Sequence, residues 1–237
     1  MSTSLLFAHP RIIAWRNRLR QNALIRTVYT SIAGRGDYEA RFARELLAAA
    51  RSGDTVWDVG ANVGVYAAQF AERGAANIVC FEPAPAAVAA LRRRFPEVAG
   101  NTNSVRVMPI ALGSSRATVG FSADGTSPNN QITTAGSSQS TIEIQVYSGD
   151  EALAQFALAT PNVIKIDVEG FELEVIQGLH RLLDSKALRS VFIEVHFSLL
   201  HNRGLDAAPA AILQTLRQHG FRVRWVDPSH IGAQRDQ

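Results

Sequence analysis

An acidic residue followed by a glycine-bearing loop is the part of this sequence best suited to chemistry. Asp58 follows residues 55–57, a short β-branched and aromatic run that predicts a buried strand, and a helical pattern begins after Gly64. In an open parallel sheet, ligands bind in the crevice beyond the carboxyl ends of the strands. Because glycine lacks a Cβ atom, Gly60 and Gly64 allow the backbone to approach a ligand closely. The pattern therefore predicts a cofactor site at residues 58–66.

The spacing of the residues in this loop distinguishes between a dinucleotide and another class of cofactor. A dinucleotide fold uses G-x-G-x-x-G and directs a helix N-terminus at a pyrophosphate. Here the pattern is D-x-G-x-N-x-G, in which Asp58 would repel a pyrophosphate but attract the cationic aminopropyl group of S-adenosylmethionine (SAM). A second acid, Glu82, ends the next predicted strand 22 residues after Gly60, where a carboxylate can accept hydrogen bonds from both ribose hydroxyls. The two acids together favour SAM.

The composition is that of a single α/β domain with an extension. The chain has 237 residues, of which 46% are hydrophobic and 19% are charged. Its single cysteine, Cys80, lies in a predicted central strand, which is typical of a protein from a reducing compartment. The sequence contains neither an apolar run of membrane-spanning length nor the pattern of a secretory signal. We therefore expect a cytoplasmic protein.

The N-terminal segment differs in charge from the rest of the chain. Residues 1–36 contain six arginines and no acid, which leaves a net charge of about −3 for residues 37–237. Apolar residues interleave with the arginines and predict a basic amphipathic helix. Such a helix either packs on the domain, which we favour, or makes a peripheral contact with an anionic membrane. We expect no nucleic-acid partner, because nothing else in the chain is typical of one.

Charged residues also end two later strands of the predicted sheet. Asp167 ends one apolar strand and is followed by Glu169, and His196 ends the next. Alternation within the first of these strands places Lys165 and Asp167 on one face. Because a buried charge is costly unless it is paired, we expect an ion pair between Lys165 and Glu194 on the neighbouring strand.

A polar segment interrupts the alternation of strands and helices. Residues 114–141 are rich in Ser, Thr, Gly, Asn and Gln and lie between the predicted strands 118–121 and 141–146. This pattern predicts a β-hairpin insertion, a common place for a substrate lid.

Four segments resemble the FkbM family of SAM-dependent methyltransferases. They are D-V-G-A-N-V-G-V-Y at 58–66, F-E-P at 81–83, I-K-I-D-V-E-G-F-E at 164–172 and F-I-E-V-H at 192–196. The resemblance implies a Rossmann-like α/β fold with a mostly parallel twisted sheet and helices on both faces. It also implies an O-methyltransferase that moves a methyl group to a hydroxyl of a sugar, a polyketide or another small metabolite.

The same resemblance implies the site residues. The residues assigned to the cofactor are Asp58, Gly60, Ala61, Asn62, Gly64, Tyr66, Glu82, Pro83, Ala111 and Asp167. Asp167, Glu169 and His196 are expected to surround the transferred methyl, and the reference pKa of His196 makes it the best-tuned base. Glu172 and Glu174 are expected only to complement a helix N-terminus.

Other interpretations stay open at this point. A metal is not favoured, but Asp167, Glu194 and His196 form a donor set that could hold a divalent ion. An NAD(P)-dependent oxidoreductase is disfavoured because G-x-G-x-x-G is missing, and a non-catalytic SAM-binding protein is disfavoured by the acids at 58, 82, 167 and 169.

The resemblance leaves the end of the fold unexplained. The family fold ends with an antiparallel strand inserted into the sheet, whereas only polar residues follow the strand predicted at 221–226. The last strand is therefore either short or missing.

Overall fold

The computed structural model describes residues 35–96, 104–122, 131–132 and 141–236. Within these ranges the strands are β1 (Thr55–Val59), β2 (Asn77–Phe81), β3 (Ser104–Met108), β4 (Ala111–Gly113), β5 (Ala117–Ser122), β6 (Gln131–Ile132), β7 (Thr141–Ser148), β8 (Val163–Ile166), β9 (Ser190–Glu194), β10 (Arg222–Trp225) and β11 (His230–Gln234). The helices are α1 (Arg35–Ala49), α2 (Val65–Glu72), α3 (Pro85–Arg94), α4 (Gly149–Gln155), α5 (Glu172–Gln177), α6 (His180–Asp184), α7 (Phe197–Asn202) and α8 (Ala208–Gln218).

Seven strands form one twisted sheet in the order β10-β11-β9-β8-β1-β2-β3. The strands from β9 to β3 are parallel, whereas β11 pairs antiparallel with both β9 and β10. The last strand of the family fold is therefore present and short. Its polar first residue, His230, is buried because Asp227 and Glu194 lie against the imidazole. The α/β fold class with a mostly parallel sheet is confirmed.

The two faces of the sheet bury separate apolar clusters. Trp57 and Val59 pack on one face with residues of α5, α6 and α8, whereas Val56 packs on the other face with residues of α1, α2 and α3. This alternation is the period of two that a strand imposes on its side chains. It places Asp58 on the same face as Val56, where the carboxylate is buried under α2.

The helical segment after Phe171 is divided into α5 and α6. Gly178 lies at the break, where an added Cβ atom would stand 2.0 Å from the carbonyl oxygen of Gly113. The close approach of these two backbones joins the C-terminal end of α5 to β4.

The predicted hairpin insertion is part of a second, small sheet. β5 and β7 pair antiparallel in the order β4-β7-β5-β6, and Phe121 of β5 packs against Ala84 and Ala87 at the start of α3. The rest of the hairpin tip, at 123–130 and 133–140, lies outside the described residues, so the lid stays a prediction.

The predicted N-terminal extension at 1–36 lies outside the described residues except for its last two, which begin α1. Its packing on the domain and its membrane contact therefore stay predictions. None of the helices in the described part of the chain is long and apolar enough to cross a membrane.

Candidate active site

A pocket opens at the carboxyl ends of the parallel strands, between the glycine loop after β1 and the turn after β8. Seven predicted site residues line it: Gly60, Asn62, Glu82, Pro83, Ala111, Asp167 and Glu169. Six residues that the sequence analysis did not assign complete its wall: Val59, Phe81, Leu112, Phe121, Val168 and Phe171. The apolar wall and the few converging polar groups are typical of a small-molecule site.

The glycine loop packs directly on the end of β8. Gly60 has φ +75°, and a Cβ atom there would lie 1.8 Å from the carbonyl oxygen of Asp167. Only glycine allows both this conformation and this approach. The loop then carries the Asn62 N–H to Glu82, to whose Oε2 it donates a hydrogen bond of 2.8 Å.

Glu82 is held rigidly in the pocket wall. Its Oε1 accepts a second backbone hydrogen bond, of 2.9 Å, from the N–H of Ala84. Burial raises the pKa of Glu82, and the two backbone hydrogen bonds oppose that increase. Each oxygen of a carboxylate accepts two hydrogen bonds, so both oxygens retain capacity for a donor on a ligand.

Four residues assigned to the cofactor do not line the pocket: Asp58, Ala61, Gly64 and Tyr66. The side chain of Asp58 is fully buried on the α2 face of the sheet, away from the face of Val59. Gly64 allows α2 to pack on α3, because a Cβ atom there would lie 2.6 Å from Leu91. The carboxylate of Asp58 is therefore buried behind the pocket wall, and its contact with a cationic ligand stays a prediction.

Lys165 is the partner of Asp58. Its Nζ lies 3.1 Å from Asp58 Oδ1 and 3.4 Å from Asp167 Oδ2, and it donates a hydrogen bond of 3.1 Å to the Gly60 carbonyl. The predicted pair with Glu194 is wrong. The register places Asp58 directly opposite Lys165 on β1, whereas Lys165 faces Phe192 on β9, two residues before Glu194.

Lys165 and Asp58 form a buried unit beneath the glycine loop. Burial raises the pKa of Asp58, and Lys165 opposes the increase. Burial alone would lower the pKa of Lys165, but Asp58 and Asp167 raise it overall. The ring of Tyr66 covers this unit, with its centroid 5.2 Å from Lys165 Nζ.

Asp167, Glu169 and His196 converge as predicted. The Nε2 atom of His196 lies 3.4 Å from Glu169 Oε2 and 3.6 Å from Asp167 Oδ1. Glu194 Oε1 is 4.0 Å from the same nitrogen. Several carboxylates therefore surround one imidazole at the edge of the pocket.

This environment argues against His196 as a proton acceptor in the ligand-free protein. Burial alone would lower the pKa of His196, but the carboxylates of Glu172, Glu169 and Asp167 raise it to about 9. The imidazole is then protonated at neutral pH. Burial and neighbouring carboxylates raise the pKa of Glu169 to about 7.

Glu172 has a larger role than the predicted placement near a helix N-terminus. Its side chain is fully buried, and its Oε1 lies 2.7 Å from His196 Nδ1 and accepts a hydrogen bond of 2.9 Å from the Gly170 N–H. Glu174 instead pairs with Arg203. The signal for Glu172 was present, because it is the last residue of the segment I-K-I-D-V-E-G-F-E.

His230 extends the charged network on the other side of Glu194. Its Nδ1 lies 2.8 Å from both carboxylate oxygens of Asp227, its Nε2 lies 3.5 Å from Glu194 Oε2, and its ring stacks on Phe42 at 4.0 Å. No pattern in the sequence indicates this residue, because the segment around it is polar.

The His230 network predicts a pH-dependent stability. Burial alone would lower the pKa of His230, but Asp227 and Glu194 raise it to about 9, above the model-peptide value of about 6.5. The stabilisation is therefore complete below pH about 6.5 and is lost as the pH rises through about 9. At pH 6, His230→Asn is expected to unfold more easily than the parent chain by on the order of 2–3 kcal/mol.

Urea unfolding of both chains between pH 6 and pH 9.5 measures this effect, and the difference between them should narrow as the pH rises. Comparing the two chains at each pH cancels the titration of other groups, such as His196. A difference that is constant across this range would contradict the assigned network.

The sheet order and the inserted antiparallel last strand define a Rossmann-like methyltransferase fold. The solved structure of a methyltransferase FkbM from Methylobacillus flagellatus superimposes with a TM-score of 0.52 over 76% of this chain and 43% of that one. The two sequences are 15% identical in this region, so the similarity concerns the fold alone.

A match to a family profile identifies the methyltransferase family to which the chain belongs. The profile described as the Methyltransferase FkbM domain matches residues 58–223, and the chain belongs to this family. The hexuronic acid methyltransferase AglP of Haloferax volcanii is 34% identical over 155 residues, which cover 65% of this chain and 60% of AglP. The 31-O-demethyl-FK506 methyltransferase FkbM of Streptomyces tacrolimicus is 30% identical over 203 residues, which cover 73% of this chain and 74% of that protein.

Proposed function

We propose that this protein is a SAM-dependent O-methyltransferase acting on a hydroxyl of a small metabolite. Membership of the FkbM family supports the reaction class. The names of the two relatives, a hexuronic acid methyltransferase and a 31-O-demethyl-FK506 methyltransferase, support a sugar or a polyketide as the substrate class. The observation that carries the proposal is the position of Glu82 in the same pocket as Asp167 and Glu169.

The polar groups of the pocket fit the proposed cofactor. The Glu82 carboxylate is fixed by two backbone N–H groups and can accept hydrogen bonds from a ribose. Asn62, in the same wall, has a buried Oδ1 atom with no hydrogen-bond partner among the described residues, as a site for a donor on a ligand would have. When bound, SAM would supply a methyl group already activated on a sulfonium.

The residues of the chain would then position the hydroxyl of the substrate and take its proton. Holding the two reactants in line can lower the barrier by up to about 7–11 kcal/mol. Asp167 and Glu169 both line the pocket, but Asp167 forms an ion pair with Lys165. Among the described cationic groups, only His196 lies within 4 Å of the Glu169 carboxylate. We therefore assign Glu169 as the acceptor of the hydroxyl proton, with His196 and Asp167 positioned around it.

Replacing Glu82 by alanine tests the cofactor assignment. We expect SAM and S-adenosylhomocysteine to bind about 1.5–3 kcal/mol more weakly, the scale of hydrogen bonds to a charged group. Isothermal titration calorimetry measures both affinities, and Glu143→Ala, at an exposed position of β7, is the matched control. Unchanged affinity in Glu82→Ala would refute the assignment.

The same calorimeter separates the proposal from its alternative. The parent chain should bind SAM and should show no heat with NAD⁺ or NADP⁺. Tight binding of a nicotinamide dinucleotide, with none of SAM, would favour an oxidoreductase.

A further inference from the structure

We propose that Asp167, Glu169 and His196 bind a divalent metal ion at the edge of the pocket. Metal binding by these three side chains stands on its own geometry, and only the catalytic use of the ion rests on the proposed function. The site differs from the set considered from the sequence alone, because Glu169 takes the place of Glu194.

The spacing of the donor atoms fits one ion. One nitrogen and two carboxylate oxygens from these residues all lie within 4.8 Å of one another, with 3.4 and 3.6 Å from His196 Nε2 to the two oxygens. Metal–ligand bonds of about 2.1 Å place two ligands of an octahedral ion about 3 Å apart when adjacent and about 4.2 Å apart when opposite. The two separations from His196 Nε2 lie between these values, so binding the ion would need only small adjustments of these side chains.

The orientation of His196 is the second observation. The fully buried carboxylate of Glu172 lies 2.7 Å from Nδ1, which leaves Nε2 directed at Asp167 and Glu169. Metal-binding histidines commonly donate their second ring N–H to a carboxylate, which fixes both the tautomer and the orientation of the ring. Glu172 and His196 form this arrangement. The other carboxylate oxygen of Glu172 has no hydrogen-bond partner among the described residues, so the hydrogen bonds of this side chain go to His196 and Gly170.

The balance of charge supports a cation. Asp167, Glu169 and Glu194 all lie within 4.0 Å of His196 Nε2, and Glu172 lies on its other side. Without an ion, a protonated imidazole neutralises only one of these carboxylates, Lys165 is shared between Asp167 and the buried Asp58, and His230 pairs with Glu194. Binding the ion would release the proton of His196 Nε2. A divalent ion would offset the repulsion that remains.

Glu194 lies outside the coordination set. It is held by His230 at 3.5 Å and is 4.0 Å from His196 Nε2, the longest of the carboxylate distances to this nitrogen. Its position allows it to stabilise the ion through charge alone.

The donor set indicates the class of metal. Carboxylate oxygens suit Mg²⁺ and Mn²⁺, and an imidazole nitrogen favours the transition metal of that pair. Three protein ligands leave positions for water or for the acceptor hydroxyl. A metal-bound hydroxyl loses its proton more readily, and a carboxylate that binds the ion through one oxygen keeps the other for that proton.

Mn²⁺ binding to the full chain tests the proposal. After treatment with a chelator and in the absence of SAM, the protein should bind one Mn²⁺ saturably, as followed by electron paramagnetic resonance. Asp167→Asn, Glu169→Gln and His196→Gln should each weaken this binding by at least about tenfold, whereas Glu194→Gln should weaken it less than about threefold. Glu143→Gln, at an exposed position of β7, is the control for a general loss of charge.

A spectroscopic measurement on the parent chain tests the metal site without any variant, so it applies even if a variant fails to fold. The electron spin echo of Mn²⁺ bound to the parent chain should show coupling to an imidazole ¹⁴N nucleus. Binding that is not saturable, an absent nitrogen coupling, or equal affinities of Glu169→Gln and the parent chain would overturn the proposal. SAM binding is titrated separately. Mn²⁺ binding without SAM binding would support the metal site and contradict the proposed function. SAM binding without Mn²⁺ binding would support the cofactor assignment and contradict the metal site.

Discussion

Replacing Glu169 by glutamine is expected to lower kcat by about 10²–10⁴-fold, the usual contribution of a general base. The variant keeps the size of the side chain and removes its ability to take a proton. Glu169 lines the pocket, and its Oε2 lies 3.4 Å from His196 Nε2, so the change acts where Asp167 and His196 converge. SAM affinity should change little, because Glu82 rather than Glu169 is the residue proposed to bind the ribose.

Steady-state kinetics with a labelled methyl group measure the loss, once an acceptor has been found by screening sugars and polyketides. Glu174→Gln is the matched control, since Glu174 is nearby in sequence but pairs with Arg203 and does not line the pocket. A kcat of Glu169→Gln within about threefold of the parent value would remove Glu169 from the reaction, because a general base contributes far more than that.

Replacing Lys165 by methionine is expected to lower the free energy of unfolding by about 3–5 kcal/mol, because it leaves a buried charge without its partner. Asp58 and Lys165 are both almost completely buried, and their charged atoms lie 3.1 Å apart. The variant also removes the hydrogen bond to the Gly60 carbonyl that holds the glycine loop. Urea unfolding at neutral pH measures the effect.

Two further variants distinguish this mechanism from a general loss of packing. The double variant Asp58→Asn/Lys165→Met should recover much of the lost stability, because no unpaired charge remains. Arg222→Met removes an ion pair whose two side chains are 78% and 77% exposed, and it should leave the stability nearly unchanged. A double variant less stable than Lys165→Met would contradict the proposed origin of the loss.

The pH dependence of the Lys165→Met variant provides a check with a defined sign. Without Lys165, the pKa of Asp58 in the folded chain rises further above its value in the unfolded chain. An acid with a raised folded-state pKa loses stability as the pH increases. The penalty of the substitution should therefore grow from acidic to neutral pH.

The proximity of the acidic residues and His196 in the site was predictable from their residue types and from their positions at the ends of strands. Asp167 and His196 follow neighbouring parallel strands, whose carboxyl ends meet at one edge of the sheet, so their side chains had to lie near each other. The glycine loop after β1 was equally predictable from its sequence pattern, although the contact that requires glycine at residue 60 is with the backbone of Asp167. Both inferences depend on local pattern and on the rules of parallel sheets.

The partners of the buried charges depended on the tertiary structure. Lys165 pairs with Asp58 rather than with Glu194 because strand register, which the alternation of residues does not specify, places Asp58 opposite it. Glu172 becomes the partner of His196 only because the turn after β8 places Glu172 beside the residues that follow β9. His230 can be buried because, besides the nearby Asp227, its imidazole contacts Glu194 and the ring of Phe42, which are distant in the chain. In each case a charge is tolerated in the interior through a contact that forms only when distant segments pack together.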